Sequence, residues 1–213
     1  MCLSFFKKVL VLAPHTDDGE LGAGGFIAKL IDAGSEVTYV AFSIAEDSVP
    51  AGLPKDILKT EVKLATAKLG INPKNLIILN FKVRKFDSVR QEILEELIKL
   101  RKLNDFDLVL IPSSNDVHQD HAVISQEGIR AFKGTTVLGY ELIWNNICFN
   151  NSFFVKLKRE HVERKIAALK CYKSQFGRCY VSEDFIFALS HTRGVQINTQ
   201  YAESFEVIRW VMS

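Results

Sequence analysis

Short, continuous apolar runs alternate with longer amphipathic stretches along most of this chain. Such runs are typical of strands that are buried on both faces of a parallel sheet. They predict strands at residues 9–13, 37–42, 76–79, 108–111 and 136–140. The amphipathic stretches predict helices at residues 20–33, 55–69, 89–103, 121–132, 160–172 and 182–191. The alternation indicates an α/β fold in which helices cover a mostly parallel sheet.

Two further segments complete this outline. Residues 43–54 contain serine, glycine and two prolines with little periodicity, so we expect a mobile loop close to the site edge of the sheet. Residues 205–210 predict a closing strand, antiparallel and at the edge of the sheet. Because α/β chains of 213 residues often do not divide, we expect a single domain over residues 1–213.

Composition and charge narrow the function classes. The chain is 47% hydrophobic, and its net charge is only +2, with basic and acidic residues interleaved. Nucleic-acid-binding proteins usually concentrate their basic residues, so we expect no nucleic-acid partner. No apolar run approaches the length of a membrane span, no signal peptide is evident, and none of the four cysteines forms a C-x-x-C pair. We therefore expect a cytoplasmic protein with no integral membrane segment.

The first candidate for chemistry is the run His15-Thr16-Asp17-Asp18, between the first predicted strand and a glycine-rich helix. Adjacent carboxylates repel each other unless a cation lies nearby, and a divalent metal would keep both ionised. One carboxylate can then bind the metal while the other acts as a base. An aspartate-rich helix N-cap is the alternative without chemistry. A dinucleotide site is disfavoured, because the fingerprint G-x-G-x-x-G fails at Ile27.

The second candidate is the run His118-Gln119-Asp120-His121, which follows the fourth predicted strand. Parallel strands end at a shared edge of the sheet, so we expect the two runs to face each other across a crevice. Imidazole and carboxylate are ligands of catalytic zinc, which takes three protein ligands and leaves a position for water. A helix cap with exposed histidines is the alternative for this run alone. Together the two runs favour a zinc hydrolase.

With both runs considered, the chain resembles the LmbE/PIG-L family of zinc-dependent N-deacetylases. The family's first motif, (P/A)-H-P-D-D followed by an acidic residue and L-G-x-G-G, is similar to residues 14–18 and 20–25. Its second motif, H-x-D-H, matches residues 118–121, and residues 201–205 are similar to its Y-A-E-x-F ending. The resemblance implies a Rossmann-like three-layer sandwich with a mostly parallel central sheet.

Carried over by position, the resemblance also implies a reaction and its residues. The reaction would remove the N-acetyl group from an N-acetylglucosamine-type sugar or sugar conjugate, with one zinc ion, or another divalent metal, per chain. The implied metal ligands are His15, Asp18 and His121. Asp17 would be the general base that activates water, and His118 would be an imidazolium, oriented by Asp120, that stabilises the tetrahedral intermediate.

Several residues and alternatives stay open at this point. Thr16 occupies the family's proline position, and we expect its hydroxyl to make a local hydrogen bond. Trp144 has the chemistry of a sugar-stacking residue, but we expect a half-buried core position. The candidate substrate contacts are Asp116, Tyr140, Glu141 and Arg193. A zinc amidase acting on a non-sugar amide and a non-catalytic sugar-binding relic are the alternative functions. The sequence leaves the carrier and the oligomeric state open, a homo-oligomer included.

Overall fold

The computed structural model describes residues 6–212, which contain seven strands and six α-helices in largely alternating order. The strands are β1 (Lys8–His15), β2 (Glu36–Ser43), β3 (Leu76–Ile78), β4 (Leu108–Pro112), β5 (Thr136–Tyr140), β6 (Phe153–Leu157) and β7 (Tyr201–Arg209). The helices are α1 (Asp18–Asp32), α2 (Ile57–Leu69), α3 (Arg90–Leu103), α4 (Gln119–Ala131), α5 (Arg159–Leu169) and α6 (Glu183–Val195). The expected α/β fold is confirmed.

The strands form one sheet in the order β3-β2-β1-β4-β5-β7-β6, in which β1 to β5 run parallel and β7 runs antiparallel to both neighbours. The prediction of an antiparallel closing strand is correct in direction but wrong in position, because β6 lies outside β7 at the edge. Sequence analysis missed β6, whose Val155 and Leu157 are buried while Lys156 between them is exposed. The apolar run of this edge strand covers only residues 153–155 before the exposed lysine.

Alternating side chains of the central strands supply two cores, one on each face of the sheet. Val9 and Val11 of β1 lie in the core on the face that α1, α2 and α5 cover. Leu10 and Leu12 lie in the core on the other face, under α3 and α4. The three-layer sandwich is therefore confirmed. The single domain stays a prediction, since residues 1–5 and 213 lie outside the described residues.

Glycines allow α1 to lie close against the sheet. A Cβ atom at Gly22 would lie 2.2 Å from the Tyr140 ring, and one at Gly19 would lie 2.5 Å from the Tyr39 ring. Only glycine leaves room for these two rings at such short range. The close packing holds the first turn of α1 directly beside the end of β1.

A search of residues 6–212 for membrane spans finds no helix with the length and apolar character that crossing a bilayer requires. The location of the protein in the cell stays a prediction.

Candidate metal centre and adjoining cavity

The candidate site lies between β1 and β4, where chain connections leave the sheet in opposite directions. β1 is followed by β2 on one side, whereas β4 is followed by β5 on the other. Open α/β sheets commonly bind ligands at such a switch point. His15 is the last residue of β1, and the first turn of α4 carries His121. The His15 Nδ1 and His121 Nε2 atoms are 3.2 Å apart, so the two motifs meet as expected.

Three side-chain atoms converge at this point. The Asp18 Oδ2 atom lies 3.2 Å from His15 Nδ1 and 3.3 Å from His121 Nε2. In a tetrahedral zinc site with metal–ligand bonds near 2.0–2.1 Å, neighbouring ligand atoms lie about 3.3 Å apart. The three atoms therefore have the spacing of one face of such a site. A ligand atom of His118 also lies within 4.8 Å of ligand atoms of His15 and His121.

His15 and His121 each have a carboxylate beside the ring nitrogen that does not face the converging atoms. Asp116 Oδ2 lies 2.8 Å from His121 Nδ1, and Asp120 Oδ2 lies 3.0 Å from His15 Nε2. This is the arrangement that orients metal-binding histidines in proteins. It corrects two expectations. Asp120 orients His15 rather than His118, and Asp116 lies behind His121, buried, instead of facing a substrate.

The charges of this cluster favour a cation. Burial opposes the charged form of His15, but hydrogen bonds to Asp120 and Asp18 outweigh it and raise its pKa to about 9. Burial likewise opposes the charge of His121, while Asp18 and Asp116 raise its pKa to about 10. Burial alone would raise the pKa of Asp18, yet His121 and His15 lower it below its usual range. The buried carboxylates thus stabilise positive charge at the position that a metal ion would occupy. The residues present therefore fit a zinc ion.

His118 differs from the other two histidines. It is the N-cap residue of α4, and its Nδ1 atom accepts the backbone N–H of Asp120 at 3.2 Å. Because Nδ1 is an acceptor, the neutral ring carries its proton on Nε2. Burial and the charges of His121 and His15 lower the pKa of His118. This geometry favours a neutral imidazole that donates from Nε2 over the expected imidazolium.

Asp17 occupies the N-cap position of α1, but its side chain makes no capping hydrogen bond. Its residue lines the cavity beside the histidines. Burial, with the charge of Asp18, raises the pKa of Asp17 to about 6. The N-cap alternative therefore does not explain this carboxylate.

Two tyrosines hold the turn that carries these residues. The Tyr39 and Tyr172 hydroxyls lie 2.9 and 2.7 Å from the Thr16 carbonyl oxygen. Both hydroxyls also contact the carboxyl group of Glu20. Burial outweighs these hydrogen bonds and raises the pKa of Glu20 to about 8, so this carboxyl group is protonated near neutral pH. The cluster fixes the backbone on which Asp17 and Asp18 are placed.

The Thr16 side chain does not behave as expected. Thr16 is fully buried, and its hydroxyl has no hydrogen-bond partner among the described residues. The predicted local hydrogen bond is therefore wrong. The tyrosine contacts with the Thr16 carbonyl, rather than its hydroxyl, hold this turn.

We expect Thr16→Val to raise the free energy of unfolding by about 1 kcal/mol, because it removes an unsatisfied buried hydroxyl without changing the shape. Chemical denaturation measures this difference. Thr66→Val is the matched control, since the equally buried Thr66 hydroxyl donates to the Val62 carbonyl at 2.7 Å. If both variants lose stability alike, the Thr16 hydroxyl has a partner.

A cavity of about 350 Å³ opens beside the three converging atoms. Beyond the two motifs, the polar and aromatic lining residues include Arg84, Trp144, Asn145, Gln175, Arg178 and Tyr180. They come from three separate loops with no common spacing, so sequence analysis had no signal that joined them. Residues 43–54 contribute Ala45 and Ser48. Trp144 is partly buried as expected, at 38% exposure, but it lies at this cavity and not in a core, and its ring stacks on Tyr180 at a centroid distance of 4.0 Å.

The remaining predicted substrate contacts do not line this cavity. Tyr140 is fully buried and donates its hydroxyl to the Leu12 carbonyl at 2.9 Å. Glu141 is also buried and bonds the Arg193 guanidinium, with Nε and Oε2 3.0 Å apart. The end of β5 does reach the correct edge of the sheet, but its side chains pack against α1 and α6.

Comparison with known proteins supports one family. The sequence model of the PIG-L family, described as GlcNAc-PI de-N-acetylase, matches residues 10–132. A protein of Escherichia coli K12 described as the uncharacterized deacetylase YaiS is 28% identical over 174 residues, or 79% of this chain and 91% of that protein.

Two solved structures illustrate the range of this fold. The N,N'-diacetylchitobiose deacetylase of Pyrococcus horikoshii has a TM-score of 0.79 at 22% identity, covering 97% of this chain and 85% of that one. GalB, the 4-carboxy-2-hydroxymuconate hydratase of Pseudomonas putida KT2440, has a TM-score of 0.80 at 19% identity, covering 97% and 98%. One is a deacetylase and the other a hydratase, so the shared fold does not by itself define the reaction.

Proposed function

This chain belongs to the PIG-L family, and on that premise we propose that it is a metal-dependent deacetylase. Its substrate is an N-acetylglucosamine-type sugar or sugar conjugate, from which it removes the N-acetyl group by hydrolysis. The observation that carries the proposal is that ligand atoms of His15, Asp18 and His121 lie 3.2–3.3 Å from one another. Beside them lies the carboxylate of Asp17, which makes no helix-capping hydrogen bond. A sugar-binding protein without catalysis needs no such base.

His15, Asp18 and His121 are the proposed ligands of a zinc ion, or of another divalent metal. When bound, the metal lowers the pKa of a water molecule to about 7 and polarises the acetyl carbonyl. Asp116 and Asp120 orient the two imidazole rings and fix the tautomers that leave His15 Nδ1 and His121 Nε2 free for the metal.

Asp17 is the proposed general base. It takes a proton from the attacking water and returns it to the departing amine, so that one carboxylate serves both steps. A pKa of about 6 suits this work, since the group accepts a proton readily and releases it again near neutral pH.

His118 is the proposed donor to the oxyanion that forms on the acetyl oxygen. The backbone N–H of Asp120 occupies its Nδ1 atom, which leaves the Nε2 proton for this bond. Trp144 and Tyr180 offer an apolar surface against which a sugar ring can pack.

We expect His118→Ala to lower kcat by about 100- to 1000-fold, the usual cost of removing one oxyanion donor. The variant should still bind one metal ion per chain, because His118 is not among the proposed ligands. Steady-state kinetics together with metal analysis test both statements. Full activity in this variant would show that the assigned role is wrong.

A panel of N-acetylated compounds tests the proposed function. Purified protein loaded with zinc should release acetate and a free amine from N-acetylglucosamine derivatives, and a chelator should stop the release. Faster hydrolysis of N-acetyl amino acids than of the sugars would favour a zinc amidase instead. Sugar binding without any acetate, with or without metal, would favour a binding relic.

A further inference from the structure

Two arginines stand apart from the others by their partners. The chain has nine arginines, and seven of them bond a carboxylate or a backbone carbonyl. These seven are Arg90, Arg101, Arg130, Arg159, Arg164, Arg193 and Arg209. Across residues 6–212, the guanidinium groups of Arg84 and Arg178 contact neither kind of group. Both of these arginines line the cavity beside the proposed metal ligands.

Arg178 is held at the aromatic surface of the cavity. Its Nη1 atom donates to the Tyr180 hydroxyl at 2.6 Å, and its guanidinium carbon lies 5.8 Å from the centroid of that ring. Tyr180 in turn stacks on Trp144 with an interplanar angle of 17°. The stack and the guanidinium therefore form one continuous surface, and the other donors of Arg178 have no partner within residues 6–212.

Arg84 is held at the cavity through its backbone. Its φ angle of 62° is in the left-handed region, which a residue with a side chain seldom adopts. Its backbone N–H donates to Asp120 Oδ2 at 2.6 Å, and that same oxygen contacts His15. The carboxylate that orients a proposed metal ligand thus also fixes the position of Arg84.

We propose that the carrier of the N-acetylated sugar bears an anionic oxygen group, a carboxylate or a phosphate, which Arg84 and Arg178 bind. This inference rests on the proposed function and adds the chemical class of its substrate. A guanidinium group is a planar fork of donors that matches carboxylate and phosphate oxygens in pairs. A neutral carrier would make no use of the positive charge that these two exposed guanidinium groups add to the lining of the cavity.

The experiment compares three N-acetylglucosamine glycosides whose carriers have the same size. One carrier ends in a carboxylate, one in a phosphate and one in an uncharged amide. We expect kcat/KM for at least one anionic glycoside to exceed that of the neutral one by roughly 10- to 100-fold, the usual range for a hydrogen-bonded charge pair. The excess should shrink as the salt concentration rises, because the two arginines are exposed. The better of the two anionic carriers identifies the group.

Arg84→Gln and Arg178→Gln should each reduce the ratio of anionic to neutral kcat/KM toward one. Arg130→Gln is the matched control, since Arg130 pairs with Glu127 near the far end of α4 and does not line the cavity. It should leave the ratio unchanged. Binding of the same three glycosides to the zinc-loaded Asp17→Asn protein should show the same order of affinity by calorimetry.

Three other outcomes would each overturn one statement made above. Equal hydrolysis of all three glycosides would refute the anionic carrier and leave the deacetylase standing. If Arg178→Gln slows the hydrolysis of all three glycosides equally, Arg178 interacts with the carboxylate of Asp17 and not with the substrate. No acetate from any glycoside would refute the deacetylase, and the inference with it.

Discussion

Replacing His121 with alanine should yield a protein that no longer holds a metal ion and has almost no acetate-releasing activity. His121 contributes one of three proposed ligand atoms, and its loss leaves Asp18 and His15 without the third corner of the triangle. The metal's electrostatic contribution to catalysis is several kcal/mol, which corresponds to a rate loss of about a thousandfold or more. Metal analysis of the purified variant and its rate of acetate release measure the two effects.

His161→Ala is the matched control for this prediction. His161 is also buried, but it contacts Asp32 at the end of α1 opposite to the site and caps α5 through Lys158. Its replacement should cost stability and still leave one metal ion per chain. A His121→Ala protein that retains wild-type metal content and activity would refute the proposed ligand set.

Asp17→Asn should lower kcat by about 100- to 10,000-fold and leave the metal content unchanged. An amide cannot take the proton from water, and the usual contribution of a general base spans this range. The side chain keeps its size and makes no capping bond to lose, so the fold of the turn should survive. Kinetics with an N-acetylglucosamine derivative, metal analysis and thermal unfolding together test the prediction.

Two further variants make this result specific. Asp18→Asn should lose both activity and metal, because Asp18 supplies a proposed ligand atom. Asp105→Asn should change neither, since Asp105 is exposed in the loop before β4, at the opposite edge of the sheet. If Asp17→Asn keeps wild-type activity, another group performs the proton transfer.

Most of the fold was predictable because its central strands are buried on both faces. β1, β2, β4 and β5 carry continuous apolar residues, and their observed bounds lie within two residues of the predicted ones. The sequence also predicted that the His15 and His118 runs would meet, because both follow parallel strands. β6 escaped prediction because it is short and has one exposed face.

The finer structure of the site was not predictable from the order of residues. The motif spacing suggested that Asp120 serves its neighbour His118, whereas the folded chain directs its carboxylate to His15, which is 105 residues away in the sequence. Tyr140 ends β5 and Glu141 follows it at the correct edge, yet packing against α1 and α6 turns them away from the cavity. Side-chain direction at the end of a strand depends on which helix covers it.

The sequence by itself determined the alternating α/β architecture, the edge of the sheet that carries the chemistry, and the acid and imidazole groups collected there. These follow from local apolar patterns and from two compact motifs. Only the tertiary structure decided which atoms share a position, which carboxylate orients which histidine, and that Arg84, Trp144 and Arg178 join the cavity. Those relations depend on contacts between loops far apart in the chain, and such contacts leave no periodic signal in the order of residues.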